Sequence, residues 1–194
     1  YVLAVYVARQ AGRWNTTSVV ELGCGTGLAA GVTWKLGAFA VATDLPEVVE
    51  AVTAPNVANI AADATKKRRN AFVGAPLSWG VDAEAAACES LCLRGKQQGL
   101  IATPNGGECF DFVIAADVVY HSEAHEPLMA SLRQLVRKPT TTFVFAHRRR
   151  LENDTNFLDL VLGHFETVKA TPVTDILPDC PLDLTMYEFT VMKG

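Results

Sequence analysis

The sequence has no long hydrophobic segment. Its longest apolar run extends from Tyr1 to Ala8, whereas a helix needs about 20 apolar residues to span a bilayer. The same run has no basic leader and no A-x-A-like cleavage site, so it does not resemble a secretory signal. Because the chain does not begin with Met, we interpret its start as a truncation, and we expect no membrane association.

The sequence also has no excess of positive charge. It contains 17 Lys and Arg against 21 Asp and Glu, which gives a net charge of −4 and a pI of about 5.6. Proteins that bind nucleic acid or anionic membranes depend on a basic surface, so the composition disfavours both partners. We interpret the basic run Lys66 to Arg69 as a solvated loop or helix face.

Cysteine is scarce, and its number is odd. The five cysteines are Cys24, Cys88, Cys92, Cys109 and Cys180. A chain of this size does not need disulfides, so we expect reduced thiols and a location in the cytosol or the nucleus. Cys88 and Cys92 are four residues apart on an Ala-rich helix, but no CxxC or paired His accompanies them. We therefore expect a buried helix face there and no metal site.

The sequence does have enough apolar residues for one core. It has 194 residues, of which 49% are hydrophobic and 20% charged, which predicts a single globular domain over residues 1–194. Short β-branched runs alternate with longer helical stretches, and this alternation favours an α/β fold with a mainly parallel sheet.

Hydrophobic patterning and turn residues place the individual elements. Parallel strands are predicted at Ser18–Leu22, Ala38–Thr43, Phe110–Ala115 and Thr140–Ala146, and a closing antiparallel pair at Phe165–Ala170 and Met186–Met192. Helices are predicted at Leu28–Leu36, Pro46–Asn59 with an interruption at Pro55, Ala83–Leu93, His125–Val136 and Asn153–His164, and a surface loop at Arg94–Cys109. Each parallel strand ends at polar residues, which predicts one cleft at the carboxyl edge of the sheet.

A glycine-rich turn follows the first predicted strand and precedes a helix. Its sequence, Glu21-Leu22-Gly23-Cys24-Gly25-Thr26-Gly27, lets the backbone turn sharply and approach a ligand that a Cβ would repel. Asp44 ends the next strand, where a carboxylate can accept hydrogen bonds from both ribose hydroxyls of a nucleotide. The spacing is GxGxG, which differs from the GxGxxG dinucleotide fingerprint. A tight turn without a ligand is the alternative.

The run Val20 to Gly27 resembles motif I of the class I, seven-β-strand methyltransferases that use S-adenosylmethionine. Further segments resemble the protein-lysine branch, methyltransferase family 16, whose members act on chaperones and translation factors. These segments are Thr43–Pro46, Asn56–Asn59, Leu77–Gly80, Asp117–Tyr120 and Asn156–Leu158. The resemblance implies a Rossmann-like three-layer sandwich with a mainly parallel seven-stranded sheet and an antiparallel C-terminal strand. It also implies that an upstream segment, which precedes the helix resembling Tyr1 to Arg9, is missing.

The resemblance implies a binding site for S-adenosylmethionine. The implied cofactor-binding residues are Glu21, Gly23, Cys24, Gly25, Gly27, Asp44, Leu45, Trp79 and Ala116. The glycines would face the methionine part of the cofactor, and Glu21 would orient the loop or the amino group. Asp44 would hold the ribose and Trp79 would lie along the adenine. The backbone of Ala116 would contact the edge of the cofactor. We interpret Cys24, which lies within the motif, as a packing residue.

The resemblance also implies that Asp117 and Tyr120 form the catalytic entrance for the target side chain. A carboxylate and an aromatic ring can hold a lysine ammonium by charge and cation–π attraction. The two residues lie on one side if their segment is helical. On pattern alone, the alternative is that Asp117 caps the start of a helix and Tyr120 packs in the core. For Trp79, the alternative is a side chain that anchors the core.

The implied activity is methyl transfer from S-adenosylmethionine to a lysine of a protein, by a monomer. The alternatives are a methyltransferase of a small molecule or of protein histidine, and a noncatalytic module that binds cofactor or partner. The arginines after the strand at Thr140–Ala146 could steer an acidic substrate, although a solvated charge run is the commoner meaning.

Overall fold

The computed structural model describes residues 1–69, 71–101, 110–148 and 154–191. Within these ranges seven strands form one sheet in the order β3-β2-β1-β4-β5-β7-β6. The strands are β1 Ser18–Leu22, β2 Phe39–Asp44, β3 Phe72–Pro76, β4 Phe112–Ala116, β5 Thr142–Arg148, β6 Phe165–Pro172 and β7 Leu184–Val191. β7 pairs antiparallel with both of its neighbours, and the other paired strands are parallel. This arrangement confirms the predicted mainly parallel, seven-stranded sheet with an antiparallel C-terminal strand.

Helices cover both faces of the sheet. They are α1 Val2–Ala8, α2 Leu28–Lys35, α3 Pro46–Val48, α4 Ala54–Ile60, α5 Lys66–Arg69, α6 Asp82–Gln97, α7 His125–Leu135, α8 Asp154–Leu162 and α9 Val173–Ile176, with a π-helical stretch at Val49–Thr53. Successive residues of a strand point to opposite faces, so Val113 and Phe143 pack into one core while Ile114 and Val144 pack into the other. No described helix has the length and hydropathy to cross a membrane.

Strand β3 was not located by the sequence patterning. Its sequence, Phe72 to Pro76, contains Gly74 and ends in Pro76, and both residue types are depleted in strands. Among the described strands, β3 lies at the edge of the sheet and pairs with β2 alone. Proline is tolerated at such an edge because one row of its backbone groups does not bond a neighbouring strand.

Two further predictions were wrong in detail. The surface loop predicted at Arg94–Cys109 begins as helix, because α6 continues to Gln97 and buries Gly95 against the ring of Phe39. Residues 102–109 lie outside the described residues. The predicted interruption at Pro55 is absent, because Pro55 lies in the first turn of α4, where a missing N–H costs little.

Helix α1 is held to the C-terminal strands by a buried carboxylate. Glu188 of β7 accepts a hydrogen bond from the hydroxyl of Tyr6 on α1. Both guanidinium nitrogens of Arg13 also bond this carboxylate, at 2.9 and 2.7 Å. A bidentate arginine pair fixes geometry as well as charge, so α1 has a defined position beside the carboxyl edge of the sheet.

The turn between β1 and α2 combines left-handed backbone with close packing. Gly23 and Gly25 both have positive φ, at 60° and 52°. A Cβ on Gly23 would lie 2.7 Å from Cγ1 of Val118 and 3.1 Å from Cζ2 of Trp79, whereas a Cβ on Gly25 would meet nothing within 4 Å. The turn therefore packs against two other loops at Gly23 and faces open space at Gly25.

Glu21 connects β1 to helix α2 beneath this turn. Its side chain is 5% exposed, and Oε2 accepts a 2.7 Å hydrogen bond from the backbone N–H of Ala30. Burial raises the pKa of the Glu21 carboxyl to about 8, although the bond from Ala30 opposes the shift. At neutral pH the folded protein therefore retains a proton that the unfolded chain releases.

We predict that Gly23→Ala destabilises the protein more than Gly25→Ala. Both variants place a Cβ in the left-handed region, at a cost of about 1–2 kcal/mol. Only Gly23→Ala also forces Val118 and Trp79 to move, which adds about 1–3 kcal/mol. Urea denaturation of the two variants measures the difference, and equal losses in the free energy of unfolding would contradict the packing at Gly23.

We predict that Glu21→Gln removes one component of the pH dependence of stability. A carboxyl with a raised pKa in the folded state stabilises the protein fully below its unfolded pKa, and this contribution is lost as the pH rises to about 8. The free energy of unfolding of the unsubstituted protein should therefore fall between about pH 4.5 and pH 8 relative to the Gln variant. Glu166→Gln, at an exposed position of β6, is the control and should follow the unsubstituted protein.

Candidate functional site

A cavity of about 520 Å³ opens at the carboxyl ends of β1, β2 and β4. Six of the residues identified from the sequence line it, and they come from four separate parts of the chain. They are Gly23, Asp44, Leu45, Trp79, Asp117 and Tyr120. Three of the four strand ends expected to converge on one cleft therefore border this cavity, whereas the end of β5 borders a different one.

Asp44 holds the glycine turn in place. Its Oδ2 accepts a 2.8 Å hydrogen bond from the N–H of Gly25, and its Oδ1 accepts one of 2.8 Å from the N–H of Leu45. An ionised carboxylate has about four acceptor positions, so each oxygen retains capacity for a further donor. Asp44 can accordingly stabilise the turn and also accept hydrogen bonds from a ligand in the cavity.

Trp79 forms a wall of the cavity. The indole is half-buried, packs against the core and lies close to Gly23. The following residue, Gly80, donates from its N–H to Oγ of Ser131 at 2.9 Å and lies against Pro127. Trp79 therefore combines the two roles that the sequence left open, because it packs on the core and presents aromatic surface to the cavity.

The segment from Asp117 to Tyr120 is not helical, so the condition under which the sequence placed the two residues on one side is not met. Asp117 has φ 59°, in the left-handed region, and the chain then continues without helix until Ser122. Val118 and Val119 are buried, while Asp117 and Tyr120 are exposed and both line the cavity. Burial of the two valines thus places Asp117 and Tyr120 on the same side without a helix.

The N-cap alternative for Asp117 is wrong as well. The residue that caps α7 is Ala124, and a 3₁₀ turn at Ser122–Ala124 separates it from Asp117. The side chain of Tyr120 is not packed in the core, since 64% of it is exposed and its ring contacts His121 at 4.7 Å.

His125 contacts the Asp117–Tyr120 segment through the backbone of Val119. The sequence did not identify it as a site residue. Its Nε2 lies 3.2 Å from the carbonyl oxygen of Val119, and its ring packs 5.3 Å from Phe157. The imidazole is buried. No sequence signal distinguishes such a histidine from others at helix starts, because its role depends on a contact with the preceding loop.

Several residues identified from the sequence lie outside the cavity lining. Cys24 is buried with Sγ 3.6 Å from Oγ1 of Thr53, and burial raises the pKa of its thiol to about 12. Its N–H donates to the carbonyl of Thr43. The interpretation of Cys24 as a packing residue agrees with these surroundings. Glu21 lies beneath the glycine turn, and Gly25 and Gly27 belong to the turn itself.

Ala116 lines a second cavity, of about 570 Å³, next to the first. Among the described residues, Asp117 is the one that lines both cavities. Within the same ranges, no three His, Cys, Asp or Glu side chains are close enough together to hold a metal ion. The chemistry of this edge of the sheet is therefore that of two cavities with a carboxylate between them.

Comparison with known sequences identifies the family. A family model described as lysine methyltransferase matches residues 100–164. The mouse protein-lysine methyltransferase METTL21E is 32% identical over 90% of this chain and 65% of its own length. The zebrafish protein N-lysine methyltransferase METTL21A is 31% identical over 91% of this chain and 67% of its own. An EEF1A lysine methyltransferase 3 from Xenopus tropicalis is 24% identical over 84% of this chain and 61% of its own.

The chain spans 65% of the mouse METTL21E protein and 48% of the bovine one. Among solved structures, a TehB-like methyltransferase from Corynebacterium glutamicum matches with a TM-score of 0.62 and 16% identity, over 99% of this chain and 88% of its own. The glycopeptide N-methyltransferase MtfA matches with a TM-score of 0.63 and 15% identity, over 97% and 94%. These structures share the fold of this chain.

The match to zebrafish METTL21A covers two thirds of that protein and most of this one, and it confirms the resemblance carried by motif I and by Asp117–Tyr120. The chain belongs to the lysine methyltransferase family that includes the METTL21 proteins.

Proposed function

We propose that this protein transfers a methyl group from S-adenosylmethionine to a lysine side chain of a protein substrate. The observation that carries the proposal is the cavity that unites Asp44, Trp79 and the Asp117–Tyr120 segment at the carboxyl edge of the sheet. Family membership supports the choice of reaction, since the relatives are named as protein-lysine methyltransferases.

The residues around the cavity fit this cofactor. A volume of about 520 Å³ lies within the range of about 300–1,000 Å³ that is usual for small-molecule sites. Asp44 offers acceptors for the ribose hydroxyls, while Trp79 and Leu45 offer apolar surface for the adenine. The open space in front of Gly25 leaves room for a ligand against the turn backbone. When bound, S-adenosylmethionine supplies a methyl group on a positively charged sulfur.

We assign Asp117 and Tyr120 to holding the acceptor, because both line the cavity. A lysine has a pKa of about 10.4 in water, so at neutral pH about one in a few thousand is a free amine. The carboxylate of Asp117 attracts the ammonium but also favours its charged form, whereas the positive sulfur disfavours it. We therefore assign Asp117 to positioning the nitrogen, and the proton leaves to solvent before transfer.

The transfer itself is an in-line displacement. The lone pair of the lysine nitrogen forms the new N–C bond while the C–S bond breaks, and its electrons remain on sulfur. The chain contributes alignment and exclusion of water, which reduce the entropic and solvation costs of the step. Tyr120 adds an aromatic face for the cation.

We propose a protein substrate because the names of the relatives describe methylation of protein lysines. The name of the Xenopus relative specifies EEF1A, a translation factor. A chaperone is the other class that the family resemblance implies. We also propose that the enzyme acts as a monomer. The buried cysteines Cys24 and Cys88 are not in disulfides, which supports a location in the cytosol or the nucleus.

We predict that Asp117→Asn lowers methyl transfer at least 100-fold and leaves cofactor affinity within a few-fold. Asn removes the charge and tolerates the left-handed backbone at this position. The measurement is transfer of an isotopically labelled methyl group into the protein and small-molecule fractions of a cell extract. Asp159→Asn, at an exposed position of α8, is the control, and a fully active Asp117→Asn enzyme would exclude the assigned role.

We predict that Asp44→Asn weakens binding of S-adenosylmethionine by roughly 10- to 100-fold, the loss expected for hydrogen bonds to a charged group. The amide also turns one acceptor toward Gly25 into a donor. Titration calorimetry measures the affinity, with Glu47→Gln at a nearby exposed site as the control. Unchanged affinity in Asp44→Asn would count against a ribose-binding role.

A further inference from the structure

The second cavity lies across Asp117 from the cavity that we assign to the cofactor. It is formed at the carboxyl ends of β4 and β5, where Ala116, Ala146 and Arg148 line it. Because Asp117 lines both cavities, a group held at this carboxylate is within reach of each. The two cavities therefore meet where the reaction would occur.

The surface of the second cavity is mainly apolar. Val2 and Leu3 come from α1, Leu184 comes from β7, and Leu177 and Leu182 come from the connection between α9 and β7. The position of α1 is fixed by the bonds that Tyr6 and Arg13 make to Glu188. This wall is consequently part of the folded framework.

Among the described residues, the charged side chains that line the second cavity are one arginine and two carboxylates. Arg148 and Asp179 both line it in addition to Asp117. The formal balance is one negative charge, which suits a lysine ammonium and gives no net attraction for an acidic segment. The apolar surface is then the main source of selectivity for whatever residues accompany the lysine.

In-line displacement requires the acceptor to approach from the side opposite the leaving sulfur. With the cofactor assigned to the Trp79 side of Asp117, the second cavity would give the acceptor a route from the other side of that carboxylate. A volume of about 570 Å³ is in the range that holds a drug-sized ligand, so it can take neighbouring side chains as well as the lysine.

We propose that the second cavity binds the substrate segment around the target lysine and selects an apolar residue next to that lysine. The proposal rests on the proposed function, because it assigns the cofactor to the other side of Asp117. The occupant is an extended peptide segment. Leu177 and Leu182 of the enzyme contact the apolar residue that neighbours the target lysine in this peptide.

The test uses a peptide library with one central lysine and varied flanking residues, methylated with labelled S-adenosylmethionine. We expect the unsubstituted enzyme to enrich Leu, Ile, Val or Met beside the lysine. Leu182→Asp should lower kcat/KM for such peptides at least 10-fold, mainly through KM, and should shift the preference toward a basic neighbour. A loss of folding alone would lower activity without changing the preference.

Leu162→Asp is the matched control, since Leu162 is an exposed leucine on α8 outside both cavities, and it should keep the apolar preference. Peptides methylated without any flanking preference, or an unchanged preference in Leu182→Asp, would overturn the inference and leave the proposed function intact. Label that enters extract proteins but none of the peptides would also overturn it, because recognition would then depend on distant surfaces. Absence of label from all proteins and peptides, with cofactor bound, would instead overturn the proposed function.

Discussion

The close packing of Gly23 against Val118 and Trp79 is the contact on which the rest of the site depends. It joins three segments that are far apart in the sequence, namely the β1–α2 turn, the loop after β3 and the loop after β4. A side chain at position 23 would push these segments apart. The glycine thus serves two purposes, because it permits the turn and allows the walls of the cavity to approach each other.

Asp44 extends this arrangement by charge rather than by packing. Its carboxylate accepts N–H bonds from Gly25 and Leu45, so the turn is held in a conformation that leaves the front of Gly25 open. The same oxygens border the cavity. One residue therefore fixes the geometry of the binding surface and supplies part of its chemistry, which links the stability of the turn to affinity for a ligand.

Much of this architecture could be predicted from the sequence, for identifiable reasons. β-branched runs and the glycine turn located β1, β2, β4 and β5 to within two residues at each end, because these strands are buried on both faces. β3 escaped detection since Gly74 and Pro76 weaken its strand pattern and only its pairing with β2 defines it. Family resemblance, together with the rule that ligands bind at strand ends, brought Asp44 and Trp79 into the site.

Other features depend on contacts that no local pattern contains. Local pattern placed Asp117 and Tyr120 on one side only for a helical segment, whereas burial of Val118 and Val119, a tertiary effect, determines which way the side chains point. The second cavity was also invisible, since α1, β5 and the connection after α9 are brought together only by the fold.

The backbone of Asp117 shows how the fold places one carboxylate between two cavities. A left-handed conformation of a non-glycine residue costs about 1–2 kcal/mol, and such residues persist when their surroundings determine them. Here Val118 is fixed by Gly23, and Val119 is fixed by the contact of its carbonyl with His125. Strain at Asp117 is thereby offset by buried contacts on its C-terminal side. The result is a carboxylate that stands between two cavities, where one side can hold a methyl donor and the other a lysine.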